Sequence, residues 1–145
     1  MDAPPVTVSI SLTVSDGHRA LDFYRDAFGA KEEFRMDTPD GGIGHAEFLI
    51  GESRIFLSEE SEDWNAYAMP EGTMASCLFS VMTSDCDGSM EKAEKAGARI
   101  LSPAADQFWG ARSGVILDPF GYRWSFVQPT EKLTAEEVRK RAEQL

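Results

Sequence analysis

The chain has 145 residues, of which 42% are hydrophobic, and this is enough for one domain with a buried core. It carries 25 acidic and 14 basic side chains, and the resulting net charge of −11 argues against a nucleic-acid partner, whose phosphates would be repelled. No apolar run is long enough to span a membrane, and the acidic, Pro-rich residues 1–5 do not form a signal peptide. Cys77 and Cys86 lack metal-ligand spacing, so we expect free thiols and a cytoplasmic location.

The first half of the chain predicts the order strand, helix, strand, strand, strand. Residues 6–14 alternate between apolar and small polar side chains, as a half-buried strand does, with Ser9 and Ser11 on the polar face. Asp16 can cap the following helix, which has apolar residues at helical spacing and stops at Gly29. Three further strands are predicted near residues 31–36, 45–50 and 54–58.

The second half repeats this order after an acidic linker over residues 61–74. Ser84 and Asp87 form a candidate capping pair for the second helix, which Gly97 ends. Its strands are predicted over residues 76–82, 99–101, 113–117 and 123–127, and a turn at residues 118–121 joins the last two.

This internal repeat predicts the architecture by itself, without reference to any particular residue. We expect one domain made of two βαβββ modules, over residues 6–60 and 75–128, with a cleft shared between like halves. A final helix over residues 133–145 follows, because Thr134 and Glu137 can form a capping box.

Several motifs resemble those of a known superfamily. Residues 12–16 (LTVSD), 20–24 (ALDFY) and 27–30 (AFGA) are similar to the vicinal oxygen chelate superfamily, which contains glyoxalases, extradiol dioxygenases and bleomycin-resistance proteins. Residues 45–48 (HAEF) and 109–112 (WGAR), followed by 118–124 (DPFGYRW), are similar to its PhnB-like branch, although Tyr122 stands where that branch usually has His. The resemblance covers residues 6–144. It implies an α+β fold, two βαβββ modules forming an incomplete mixed barrel around a cleft, and a homodimer.

The resemblance also bears on whether this protein binds a metal ion. Metal-dependent members place four His, Glu or Gln ligands on the first and last strands of the two modules. Matching residue by residue puts Ser9, Phe56, Leu78 and Ser125 at those positions. Because two hydroxyls, a phenyl and an isobutyl group cannot bind a divalent cation, we expect no metal cofactor. With Ser11 and Ser80, these side chains describe a cavity suited to a small organic molecule.

His45 and Glu47 are the candidate catalytic pair. They lie two residues apart on one predicted strand and therefore share a face. An imidazole beside a carboxylate is a plausible general acid–base pair. In the alternative interpretation, His45 closes a hydrogen bond at the start of the strand and Glu47 is solvated.

Further candidates for ligand binding are aromatic or cationic. Phe108, Trp109 and Arg112 precede the seventh strand, and aromatic planes with a guanidinium can hold a flat or anionic ligand. Alternatively, the aromatic side chains plug the barrel mouth and Arg112 pairs with an acid. Arg54 shares a strand face with Phe56 and is either a second cation at the pocket rim or a surface residue.

Three functions remain open on these residues. The first is a metal-free protein that binds a small organic molecule in the cleft, without nucleic acid or membrane as partner. The second is an enzyme of the lyase, isomerase or dioxygenase type, either metal-dependent or using His45 and Glu47. The third is a regulatory domain with a degenerate pocket. Metal analysis separates the first two, and ligand stabilisation without turnover indicates binding alone.

Overall fold

The computed structural model describes residues 1–145 as two units, each with its own four-stranded mixed sheet. The first unit comprises residues 1–25 and 29–68, and the second comprises residues 26–28 and 69–145. The elements in chain order are β1 (Ile10–Val14), α1 (Gly17–Phe28), β2 (Lys31–Asp37), β3 (Ile43–Ile50), β4 (Ser53–Glu59), a short 3-10 helix (Glu62–Trp64), β5 (Leu78–Met82), α2 (Cys86–Ala96), β6 (Arg99–Gln107), β7 (Ala111–Leu117), β8 (Arg123–Pro129) and α3 (Ala135–Ala142).

Both sheets have the same topology. The strand order is β1-β4-β3-β2 in the first and β5-β8-β7-β6 in the second, and both sheets are open at their edges. In each, the first and last strands of the module pair in parallel, and the remaining pairs are antiparallel. The predicted α+β fold of two βαβββ modules with a C-terminal helix is therefore confirmed.

One face of the first sheet is buried. Alternation along the strands turns apolar side chains to one side, where Tyr24 of α1 stacks on Phe48 with ring centroids 5.3 Å apart. Helix α1 begins and ends as predicted, since Asp16 accepts a hydrogen bond from the Arg19 amide and Gly29 adopts a left-handed φ of 68°. The opposite side of this sheet, and the side of the second sheet opposite α2, are called the open faces below. The strand residues on the buried side are Leu12, Val14, Ala46, Phe48, Ile55 and Leu57.

The second sheet buries its other side beneath α2. Cys86, Met90 and Ala93 of this helix are buried, as the predicted apolar face requires. The predicted capping pair of Ser84 and Asp87 is wrong. The N-cap is Asp85, whose carboxylate accepts a hydrogen bond from Gly88 N, because that residue immediately precedes the first helical turn.

Two strands begin later than the alternation predicts. The strand predicted from residue 6 starts at Ile10, and Val6 and Val8 are 100% and 93% exposed. The reason is the partner strand, because β1 pairs only with β4 and the parallel ladder opens at Ile10 opposite Ile55. Similarly, β5 starts at Leu78 rather than residue 76, opposite the start of β8.

The C-terminal helix has the predicted capping box. The Thr134 hydroxyl accepts a hydrogen bond from Glu137 N, and the Glu137 carboxylate accepts one from Thr134 N. Arg141 attaches the helix to the β6–β7 turn by donating to the Phe108 carbonyl at 3.2 Å. None of the helices has both the length and the apolar character needed to cross a lipid bilayer.

Candidate ligand-binding site

A histidine and an arginine bracket one carboxylate on the open face of the first sheet. His45 and Glu47 alternate on β3 with the buried Ala46 and Phe48, so their shared face is confirmed. One Glu47 oxygen lies 3.3 Å from His45 Nε2, and the other accepts a 3.1 Å hydrogen bond from Arg54 Nη1. The three side chains are 24–48% exposed, so their pairing contributes little to stability and leaves them accessible to a ligand.

The His45 ring is oriented by its neighbours. Its centroid lies 5.5 Å from that of Phe56 and 6.2 Å from that of Phe34. In the tautomer that donates Nε2–H to Glu47, Nδ1 retains a lone pair that can accept a proton. The group can therefore hold a ligand by hydrogen bonding or serve as a general base.

A cavity of about 380 Å³ opens beside His45. This volume falls within the range of ligand pockets, which combine apolar walls with a small number of polar groups. The register of β2 and β3 explains why Met36 lines this cavity, since Met36 on β2 lies directly opposite His45 on β3. The cavity is lined by Met36, Gly44, His45, Ser58, Glu59, Ser61, Trp64 and Ala66.

An exposed tryptophan forms one side of this cavity. Trp64 is 83% exposed at the end of the 3-10 helix, and Asn65 follows it with a left-handed φ of 52°. Backbone hydrogen bonds between Ser61 and Ala66 close this loop. The sequence predicted this segment only as part of an acidic linker. The signal for this contact was a tryptophan that no apolar periodicity explains.

Glu59 connects the cavity to helix α1. Its Oε2 accepts a 2.7 Å hydrogen bond from Gly17 N, and Gly17 opens α1. Sequence reasoning missed Glu59 because a carboxylate at the end of a strand usually lies in solvent. Gly17 lies 42 residues away in the sequence, so no local signal connected the two residues.

A second cavity of about 390 Å³ lies elsewhere in the first unit, near α1 and β2. It is lined largely by charged side chains that already pair with one another, Asp22 with Arg25 and Glu32 with Arg35. A ligand there would have to displace these pairs. The cavity beside His45 is therefore the better candidate.

On the second sheet, the open face carries three of the predicted ligand-binding residues. Leu78, Ser80 and Ser125 share this face through the register of β5 and β8. The Ser80 and Ser125 hydroxyls lie 2.8 Å apart and form a hydrogen bond. On the first unit, Ser11 lies on the open face opposite Phe56, while Ser9 is exposed and precedes β1.

The predicted grouping of Phe108, Trp109 and Arg112 is not assembled. Arg112 extends to the helix-covered side, where its guanidinium contacts Asp87 at 3.0 Å and Asp106 at 3.2 Å. Hydrogen bonds to Asp87 and then to Asp106 raise the pKa of Arg112 above its ordinary value. The alternative in which Arg112 pairs with an acid is therefore the observed one. Phe108 and Trp109 instead pack edge to face, with ring centroids 5.2 Å apart.

The side chains that the resemblance places at the superfamily's ligand positions do not fit a divalent metal. Ser9, Phe56, Leu78 and Ser125 present two neutral hydroxyls and two hydrocarbon groups. The structure contains no cluster of three or more His, Cys, Asp or Glu side chains arranged to bind a metal ion. The carboxylate of Glu47 is already held by the cationic Arg54, which would repel an incoming cation.

Comparisons with known proteins agree with this architecture. The family model of the Glyoxalase/Bleomycin resistance protein/Dioxygenase superfamily matches residues 7–126 of this chain. An uncharacterized protein of Mycobacterium bovis is 32% identical over 135 residues, covering 91% of this chain and 89% of that protein.

Solved structures share the fold. TioX from Micromonospora sp. ML1 has a TM-score of 0.68 at 26% identity, covering 86% of this chain and 99% of that chain. FosX from Listeria monocytogenes, complexed with Mn(II) and sulfate ion, has a TM-score of 0.69 at 17% identity, covering 97% and 99%. With the matching sequence and two βαβββ modules, this chain belongs to the Glyoxalase/Bleomycin resistance protein/Dioxygenase superfamily.

Proposed function

We propose that this protein binds a small organic molecule in the cavity beside His45. The observation that carries the proposal is the cavity of about 380 Å³ on the open face of the first sheet. Trp64 offers a flat aromatic surface and Met36 a polarisable thioether, and both favour an organic ligand over a hydrated ion. His45 and Ser58 supply polar groups that can orient it.

A thermal-shift screen of small organic molecules tests this proposal. A ligand of this site raises the unfolding temperature, because it binds the folded state alone. The shift should fall strongly in Trp64→Ala and His45→Ala. Trp109→Ala is the matched control, because Trp109 is a second exposed tryptophan outside the cavity. Equal shifts in all three variants would place the ligand elsewhere.

A second candidate function is general acid–base catalysis on the bound molecule. It is supported by the 3.3 Å separation of His45 Nε2 and Glu47 Oε2 and by the accessibility of both groups. In this reaction, His45 Nδ1 or the Glu47 carboxylate removes a proton from the ligand, and the same group returns it at another atom. His45→Ala and Glu47→Gln should each lower turnover at least about tenfold. A molecule that stabilises the protein and is recovered unchanged indicates binding alone.

We further propose that ligand binding needs no metal. The hydroxyl and hydrocarbon side chains at the superfamily's ligand positions support this. Protein purified without chelator should contain less than stoichiometric Ni, Zn, Fe or Mn by mass spectrometry, and chelator treatment should leave ligand affinity unchanged. A stoichiometric metal that survives dialysis and is needed for binding would contradict the proposal.

The finer placement in the PhnB-like branch is also a proposal. It is supported by residues 45–48 (HAEF), 109–112 (WGAR) and 118–124 (DPFGYRW). The last of these segments forms the β7–β8 turn and the start of β8. A sequence tree that groups this chain with other branches would contradict it.

A further inference from the structure

We propose that the open face of the second sheet binds a small organic anion through Arg123. The binding site consists of Arg123 and the hydroxyls of Ser80 and Ser125, with Leu78 and Leu117 as apolar flanks. This site shares no residue with the cavity beside His45, and the proposal does not depend on the function proposed for that cavity.

The Arg123 side chain contains a hydrogen-bond donor that has no acceptor. Its Nε is buried, and no other buried side-chain nitrogen or oxygen atom in the structure lacks a hydrogen-bond partner. The half-buried side chain forms no ion pair with any carboxylate. Arg112, one strand away, shows the contrast, because its guanidinium is fully engaged by Asp87 and Asp106. A buried guanidinium nitrogen without an acceptor is unfavourable. The two terminal nitrogens of Arg123 form no hydrogen bond or ion pair either, and an anionic ligand can supply acceptors to these two nitrogens.

The open face around Arg123 is cationic in an acidic protein. The register places Arg123 opposite Leu117, and Leu117 in turn opposite Arg99, so two arginines share this face. None of the strand residues on this face is acidic, although the chain contains 25 Asp and Glu residues. The strand residues there are Leu78, Ser80, Met82, Ser102, Ala105, Gln107, Ser113, Val115, Ser125 and Val127. An anion approaching this face therefore meets two positive charges and no carboxylate from its strands.

The neighbouring groups define the ligand's chemistry. Ser125 follows Arg123 by two residues on β8, so its hydroxyl lies on the same face about 7 Å further along. Ser80 forms a hydrogen bond with Ser125, so one hydroxyl donates to the other and the second keeps a proton that it can donate to an oxygen atom of the ligand. A guanidinium fork beside two hydroxyls recognises a carboxylate or a phosphonate. Leu78 and Leu117 flank Arg123 and suit an apolar body attached to that anionic group.

Titration calorimetry with three probes tests this proposal on the full chain. Benzoate and phenylphosphonate carry the two anionic groups on the same phenyl body, and benzyl alcohol is the neutral analogue. We expect at least one anion to bind about tenfold more tightly than benzyl alcohol. The preferred anion identifies the group, a carboxylate or a phosphonate, that this site recognises.

Variants assign the binding to Arg123. We expect Arg123→Gln to weaken the preferred anion about tenfold and Ser125→Ala to weaken it less. Lys92→Gln is the matched control, because it removes the same charge from an exposed position on α2 and should leave affinity unchanged. Trp64→Ala should also leave affinity unchanged, which separates this site from the cavity beside His45.

Three outcomes would overturn the proposal. Neither anion binds the unmodified protein better than benzyl alcohol, or Arg123→Gln binds the preferred anion as tightly as wild type, or Lys92→Gln weakens it equally. If Arg123→Gln fails to fold, Arg123→Lys replaces it. That variant keeps the charge but loses the planar fork, so the anion should bind more weakly, and unchanged affinity would count against the proposal.

Discussion

At the scale of single residues, Asp118 explains why the turn before β8 has its sequence. Its buried carboxylate accepts hydrogen bonds from Phe120 N at 2.8 Å, Tyr122 N at 3.0 Å and Trp124 Nε1 at 2.9 Å. Three donors satisfy a buried charge that would otherwise be costly. The turn is closed by Gly121, which has a positive φ of 93°. The structural role predicted for this segment is confirmed.

Replacing Asp118 with Asn should destabilise the protein by about 1–3 kcal/mol. The amide nitrogen would face one of the three donors, leaving a buried donor without an acceptor. Urea unfolding followed by circular dichroism measures this. Asp63→Asn makes the same chemical change at an exposed position and should change stability by less than about 0.5 kcal/mol. Equal stability of the two variants would show that the carboxylate is dispensable.

The Cys86 thiol makes stability depend on alkaline pH. Burial raises its pKa, and the Asp87 carboxylate adds to this effect. Because the folded-state pKa lies above the unfolded value of about 8.5, the contribution is fully present below that pH and is lost as pH rises through the folded pKa. The difference in unfolding free energy between wild type and Cys86→Ala should therefore shrink above about pH 8.5. A constant difference from neutral to alkaline pH would contradict this.

At the scale of elements, a glycine sets how closely α2 approaches the second sheet. A Cβ at Gly114 on β7 would lie 2.7 Å from Met90 Cε of α2 and 3.1 Å from the Ala104 amide nitrogen of β6. Real Cβ atoms do not reach the first distance, so the end of the flexible Met90 side chain would have to move, and the Ala104 backbone would have to give by a few tenths of an ångström. The contact between α2 and β7 therefore depends on the missing side chain.

Gly114→Ala should cost about 1 kcal/mol, at the low end of overpacking penalties, because the main clash is with the flexible end of Met90. Thermal unfolding monitored by circular dichroism measures the loss. Ser113→Ala is the neighbouring control, because Ser113 lies on the open face away from α2, and it should change stability by less than about 0.5 kcal/mol. A Gly114→Ala variant as stable as wild type would show that Met90 and the Ala104 backbone adjust without cost.

The elements also show what sequence reasoning can reach. Helix ends at Gly29 and Gly97 were predictable because they depend on a local backbone requirement. The start of β1 was not, because a strand begins where its partner begins, and alternation alone does not reveal the partner.

The candidate site was predictable to the same limited extent. The shared face of His45 and Glu47 follows from alternation within one strand. The engagement of Arg112 by Asp87, which lies on a different element, depends on packing that a single sequence does not show. Likewise, the sequence alone does not show that Trp64 of the linker lines the cavity, because its position depends on the loop that the left-handed Asn65 turns.

At the scale of the whole molecule, several large apolar side chains remain exposed. Val6 and Val8 are two of them, and both are almost fully accessible. Clusters of such residues usually mark a surface that another molecule covers. We propose that the partner is a second copy of this chain, as the superfamily resemblance implies.

Light scattering after size exclusion should give twice the mass of one chain. We expect the double substitution Val6→Asp and Val8→Asp to shift the protein toward the monomer, because buried charge opposes association. Thr7→Asp places a charge between them on an exposed residue and is the matched control. Wild type that is monomeric at every concentration would contradict a homodimer.

The parallel pairing inside each module has a consequence for biosynthesis. In each module, the first strand to be synthesised pairs with the last, so Ile10 lies beside Ile55 and Leu78 beside Arg123. Because this pairing joins residues that are distant in sequence, neither sheet can be completed until its whole module has left the ribosome. A nascent chain arrested before β4 should therefore remain protease-sensitive, and one extended past it should acquire protection in a single step.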